Sequence, residues 1–191
     1  ERLQHYAKII NQENERLKTQ VERVLQLALF EEKNFGLNFQ TVSISDLLKK
    51  VLIPYELLLE DKKGSYTIEG DTLFAEVDEH HFCNAISNLI DNAIKYCQEG
   101  GPNIKIRIKN LEKTFSIEVV DNGIGMEKEE IKNIFKKFYR APTGNIHNVK
   151  GFGIGLSYVD QIVKMHSGSI RVSSKKNKGT TFELIVPKKQ N

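Results

Sequence analysis

The chain opens on a stripe of apolar positions, Leu3, Ala7, Ile10, Leu17, Val21, Val24 and Ala28, with Asn14 in the same register. The steps alternate between four and three, the spacing of a coiled-coil or bundle seam, so residues 1–32 are predicted to form one long helix. Glu, Arg, Gln and Lys fill the positions between, so the stripe needs partner helices to cover it. A homodimer is the simplest source, with Asn14 placed to set register.

Residues 33–41 break the pattern and read as a linker. Ser43-Ile-Ser-Asp46 opens a second helix to about Glu60, with Ser43 or Ser45 as N-cap and Pro54 as a kink. Short strands follow at Tyr66–Ile68 and Leu73–Val77, then a helix from Asp78 to Cys97. Ile104–Ile108 and Phe115–Val119 alternate strictly and predict an antiparallel hairpin with one wet face. A helix is predicted from Lys128 to Phe138, with Ile131, Ile134, Phe135 and Phe138 turned inward. A loop over 139–152, a helix from Ile154 to His166 and a closing hairpin, Ser169–Ser173 with Thr180–Val186, complete the pattern. Strands joined mostly by hairpins, without βαβ repetition, predict an α+β fold: a two-layer sandwich of helices on a mixed or antiparallel sheet over residues 42–191.

Composition narrows the function classes. Across 191 residues, 39% are hydrophobic and 28% charged, and the net charge is +3. That bias is too weak, and the Lys pairs too scattered, to predict nucleic-acid binding. Cys83 and Cys97 are too few for a disulfide framework or a zinc site and read as reduced thiols. No apolar run approaches the ~18–20 residues that cross a bilayer, and no signal peptide is present, so the chain is expected to be soluble and to make no membrane contact.

Four motifs carry chemistry. Asn88, Asn92 and Lys95, followed by Tyr96 in sequence, fall on one helical face, while Phe82, Ile86, Leu89 and Ala93 face the core. Two carboxamides one turn apart suit Mg2+, which takes few protein oxygens plus phosphates and water, and a lysine suits phosphate. Asp121-Asn-Gly123-Ile-Gly125 ends a strand, where glycines admit a ligand and a carboxylate can accept from an exocyclic amine. Gly151-Phe-Gly153-Ile-Gly155-Leu156 leads into a helix, whose free N–H groups can cradle phosphate. Gly179-Thr180-Thr181-Phe182 lies in the closing hairpin.

Singly these motifs are weak, but in this order, with the Phe-rich segment Phe135–Arg140 between, the set resembles the ATP-binding domain of sensor histidine kinases. That domain is a branch of the GHKL superfamily, to which the gyrase-type ATPases also belong, and it has the Bergerat-type ATP-binding fold. The resemblance covers residues 42–187, and the first helix resembles part of the dimerisation and phosphotransfer domain that precedes it. It implies ATP and Mg2+ as cofactors, with Asn88 and Asn92 holding the metal and Lys95 and Tyr96 beside the nucleotide. It further implies Asp121 as adenine reader, Gly123 and Gly125 close to the base, and Thr180 reaching adenine through a water. Residues 139–152 would be a lid, with Arg140 and Lys150 turned to phosphate and Gly151, Gly153, Gly155 and Leu156 as hinge and cradle. Where gyrase-type enzymes carry a water-activating Glu stands Asn88, which cannot act as a base and so favours phosphotransfer over hydrolysis. The implied partners are a histidine-bearing helix of the parent protein and a response-regulator receiver domain. The implied location is the cytoplasmic side of an inner-membrane sensor. No acceptor motif surrounds His5, His80, His81 or His147, so the chain is expected to begin after the acceptor helix and to bind ATP without phosphorylating itself.

Overall fold

The computed structural model describes Tyr6, Ile10, Glu13, residues 36–141 and residues 152–190. The chain divides into two compact units, Glu1–Gly36 and Leu37–Asn191. In the first, Tyr6, Ile10 and Glu13 are helical and exposed, and the rest of the predicted seam lies outside the described residues.

The second unit begins with strand β1 (Gln40–Ser43), in the end of the stretch read as linker. Helix α1 (Ile44–Leu52) follows, and Ser43 proves to be its N-cap, accepting from the Asp46 N–H at 3.4 Å. Pro54 lacks the N–H that would continue the helix. The chain passes through a 3-10 turn, Ile53–Tyr55, into a short α2 (Glu56–Asp61), so the single kinked helix is two helices. Strands β2 (Ser65–Gly70) and β3 (Phe74–Val77) precede α3 (Glu79–Lys95). Then come β4 (Asn103–Asn110), β5 (Thr114–Asp121), a four-residue α4 (Lys128–Ile131), α5 (Gly155–Met165), β6 (Ser169–Lys175) and β7 (Gly179–Pro187).

Among the described residues, the main sheet runs in the order β2-β4-β5-β7-β6, and β1 and β3 form a separate antiparallel pair. Pairing is antiparallel throughout the main sheet except between β2 and β4, the parallel pair that makes the sheet mixed. One face carries Ile104, Ile106, Phe115, Ile117, Val119, Phe182, Leu184 and Val186, all buried under α3 and α5. The other is the expected wet face: Glu69, Arg107 and Glu118 pair across it, as do Arg171 and Glu183. The two-layer α+β sandwich with a mixed sheet is therefore the observed fold.

The helix predicted from Lys128 to Phe138 is a correction. Only Lys128–Ile131 is helical, opened by a capping box between Glu127 and Glu130, and turns follow. Ile134 is buried and Phe135 half-buried, but Phe138 is 64% exposed. A tertiary bond overrides the helical pattern: the Phe138 N–H donates to the Gly153 carbonyl at 2.9 Å, and Phe138 takes a φ of 64° to reach it.

Candidate functional site

Strand register sets Ser174, Thr180, Asp121 and Ile104 side by side across β6, β7, β5 and β4. All lie on the helix-covered face, sharing parity with the buried or half-buried residues of their own strands. Asp121 Oδ1 accepts from the Gly123 N–H at 2.7 Å and from the Thr180 N–H at 3.1 Å. Burial pushes its carboxyl above the usual range, and those two backbone donors pull it partly back. With Oδ1 committed to the backbone, Oδ2 has no bond from the described residues and is not sealed from solvent. The result is a strong acceptor held in a fixed direction.

The glycine segment after Asp121 is pinned from several sides. Gly123 forms a bridge with Cys97, its carbonyl accepts from Gln98 Nε2 at 2.7 Å, and the Ile124 N–H donates to the Tyr96 carbonyl at 2.9 Å. At Gly125 φ is +63°, and a Cβ there would collide with the Lys175 carbonyl, so neither the conformation nor the space admits a side chain. The Met126 N–H donates to Ser174 Oγ at 2.8 Å.

Helix α3 faces this row. Phe82, Ile86, Leu89 and Ala93 are buried and Asn88, Asn92 and Lys95 half-buried, the face division expected from the 3.6-residue period. Asn88 Nδ2 donates to the Asn84 carbonyl at 2.8 Å, which turns Oδ1 away from its own helix. That oxygen lies against the amino end of α5, where a Cβ on Gly155 would come within 2.6 Å of it. Helix α5 starts at Gly155 without a side-chain cap, so its first N–H groups have no side-chain partner. Leu156 follows, half-buried in its first turn.

Lys95 Nζ lies 5.1 Å from the centroid of the Tyr96 ring. Burial raises the Tyr96 hydroxyl above its usual range, and the charge of nearby Arg140 opposes the rise. Lys95, Tyr96 and Arg140 are thus brought together, while Lys150 and Gly151 lie outside the described residues. Among the described residues no group of three or more His, Cys, Asp or Glu is arranged to hold a metal. A cation here would draw on the carboxamides and on a ligand's phosphates, a donor set that suits Mg2+.

A model of the family described as histidine kinase-, DNA gyrase B-, and HSP90-like ATPase matches residues 77–190. The chain belongs to that family. Sensor protein RprX of Bacteroides fragilis, a relative, is 40% identical over 191 residues, 98% of this chain but 37% of RprX. The chain therefore spans little more than a third of that relative's length. A crystal structure of histidine kinase ThkA in complex with the response regulator TrrA matches with 25% identity and a TM-score of 0.73, covering 96% of this chain and 50% of ThkA. Full-length ShkA, in complex with AMPPNP, shares the fold at a TM-score of 0.83 and 20% identity, over 96% of this chain and 38% of ShkA.

Within this ATPase-family domain, the structure assembles residues from all four sequence motifs. Sequence reasoning passed over Ser174, Gln98 and His166. Ser174 is recoverable in principle, because a hairpin turning at Lys175–Gly179 sets it opposite Thr180. Gln98 carries no sequence signal that separates it from any other polar residue after a helix. His81 Nδ1 lies 2.9 Å from the Tyr158 hydroxyl. His5 and His147 lie outside the described residues, and both cysteines are free thiols.

Proposed function

We propose that the chain is the ATP-binding catalytic part of a sensor histidine kinase, which donates the ATP γ-phosphate to a histidine for relay to a response-regulator aspartate. The observation that carries the reading is the packing of the Asn88–Asn92 helix on the strands that carry Asp121, with the uncapped start of α5 against Asn88.

Asp121 Oδ2 would accept from the exocyclic amine of adenine. Guanine presents a carbonyl there, two acceptors would oppose each other, and GTP would be rejected. Thr180 completes that edge through a water, and Gly123 and Gly125 let the base lie close to the backbone. Asn88 Oδ1 and the Asn92 carboxamide would hold Mg2+, which supplies positive charge to the phosphate oxygens. The first N–H groups of α5 at Gly155 and Leu156 would receive the phosphates. Lys95, Arg140 and Lys150 add charge, Tyr96 flanks the nucleotide, and Gly151 and Gly153 act as hinge of the lid over 139–152.

In the transfer a histidine ring nitrogen attacks the γ-phosphorus. The bond to the β-γ bridging oxygen breaks, ADP keeps the electron pair, and the displaced imidazole proton passes to solvent. Asn88, standing where the gyrase-type enzymes carry a glutamate, cannot take a proton from water, so hydrolysis is disfavoured. We assign the histidine to a helix of the parent protein, a homodimer in the inner membrane with this domain on the cytoplasmic side.

The test is to mix the chain with Mg-ATP and the separately produced acceptor helix bundle of a related kinase. Acid-labile phosphate on the bundle, and none on the chain alone, is expected. Nucleotide binding with no transfer points instead to a nucleotide-gated interaction module, and steady phosphate release to a hydrolase.

A further inference from the structure

Three parts of the site meet at one side chain that none of its motifs contains. Ser174 lies on β6, beside Thr180 and Asp121 in a single register row on the helix-covered face. Its Oγ accepts from the Met126 N–H at 2.8 Å, donates to the Gly179 carbonyl at 3.0 Å and lies 2.9 Å from Thr180 Oγ1.

A serine hydroxyl has one hydrogen and two lone pairs. The Met126 N–H can only donate, so it takes one lone pair. The Gly179 carbonyl can only accept, so it takes the hydrogen. What remains for Thr180 is the second lone pair, so Thr180 donates its own hydrogen to Ser174. The proton order of the row is thereby fixed, and Thr180 Oγ1 meets the site with lone pairs alone. Asp121 Oδ2, an oxygen without a proton, is the other polar atom of that edge.

We propose that Ser174 is a positioning and specificity-determining residue. It holds Thr180 as an acceptor, so that Thr180 Oγ1 and Asp121 Oδ2 present acceptors alone and the edge favours purines carrying a hydrogen-bond donor at position 6. It also ties the Gly123–Met126 segment to the β6–β7 turn, keeping base and acceptor edge in register. The inference rests on the adenine-binding reading above.

The test is a cycle of two nucleotides against three forms of the full chain. Dissociation constants for ADP and inosine diphosphate, whose position 6 is a carbonyl, are measured by calorimetry for wild type, Ser174→Ala and Ser174→Thr. Thermal unfolding confirms that each form is folded at the assay temperature. Loss of the hydroxyl frees Thr180 to rotate and donate to the inosine carbonyl. The preference for ADP over inosine diphosphate is expected to fall at least fivefold in Ser174→Ala and to stay within twofold of wild type in Ser174→Thr. A merely structural serine would shift the melting temperature and weaken both nucleotides alike. An unchanged preference in a folded Ser174→Ala chain overturns the proposal. A wild type that does not prefer ADP, or an Asp121→Asn chain that binds ADP undiminished, sinks the adenine reading and this inference with it. Weakened ADP binding in Asp121→Asn beside an unchanged preference in Ser174→Ala overturns the Ser174 role alone.

Discussion

Asp121, proposed as the acceptor for the base, carries a cost to the empty fold. Its carboxyl is raised above the ordinary value of 3.8, first by burial, against the two backbone donors on Oδ1. A carboxylate with a raised folded pKa contributes stability that is present below its unfolded pKa and lost as pH rises through the folded value, so at neutral pH it weakens the ligand-free domain. Asp121→Asn can keep the acceptor toward Gly123 and Thr180 and turns an amide N–H2 toward the amine of the base. The expected outcome is ADP affinity lower by about 10- to 100-fold, the worth of a hydrogen bond to a charged group, while the ligand-free melting temperature does not fall. Calorimetric titration and thermal unfolding check both halves, and a drop in stability with unchanged affinity would contradict the assignment. Gly155 admits an equally local test. A methyl there meets Asn88 Oδ1, so Gly155→Ala is expected to reduce the gain in ATP affinity that Mg2+ brings, while metal-free ADP binding changes less than about threefold, a difference of under ~0.7 kcal/mol. Titration with and without Mg2+ reads the difference.

At the scale of elements, the start of α3 is fastened to the end of α5 by a buried histidine. The Asp78 side chain caps α3 through the His81 N–H at 2.9 Å and receives the Asn38 N–H at 2.8 Å, while its own N–H donates to His166 Nε2 at 3.0 Å. His166 is fully buried, with Nδ1 2.7 Å from the Ile162 carbonyl and its ring against those of Phe39 and Phe82. Since Nε2 must accept from a backbone N–H, the ring is neutral with its proton on Nδ1. Burial lowers the affinity of His166 for a second proton, and His81 is shifted the same way and first by the same cause. For histidines with depressed folded values the unfolded chain binds more protons below 6.5, so their contribution is intact above that pH and lost as pH falls through the folded values. The melting temperature is expected to fall between pH 7 and pH 5, with a shallower slope in His166→Gln. Scans at matched ionic strength measure it, and equal slopes in the two proteins would remove His166 as the cause.

At the scale of the whole molecule, Leu37–Asn191 is a compact unit with its own core and both halves of the site. A chain lacking residues 1–36 is therefore expected to fold and to bind ADP within about twofold of the full chain, less than ~0.5 kcal/mol. A larger loss would give the first helix a role in the nucleotide site. Phosphotransfer is a different matter, since the proposed acceptor histidine is assigned to a helix outside this unit.

Much of this organisation was legible beforehand for a physical reason. Alternation at Ile104–Ile108, the 3.6-residue face of Asn88 and Asn92, and the Ser43 cap are local properties, set by residues a few positions apart. So is the chemistry of the motifs: a carboxylate after a strand, carboxamides one turn apart, glycines before a helix. The pattern misled where a distant partner outweighed local preference, as at Phe138, whose N–H turns to the Gly153 carbonyl where the predicted helix would have continued. Tertiary structure alone decided the juxtapositions. Thr180 donates to a carboxylate 59 residues earlier, Met126 to a hydroxyl 48 residues later, and Asp78 to a ring 88 residues on. Strand order and helix packing set those meetings, and neither is written in the period of any one segment. The sequence determined which groups this protein has to work with, and the sheet register determined that Asp121, Thr180 and Ser174 stand side by side.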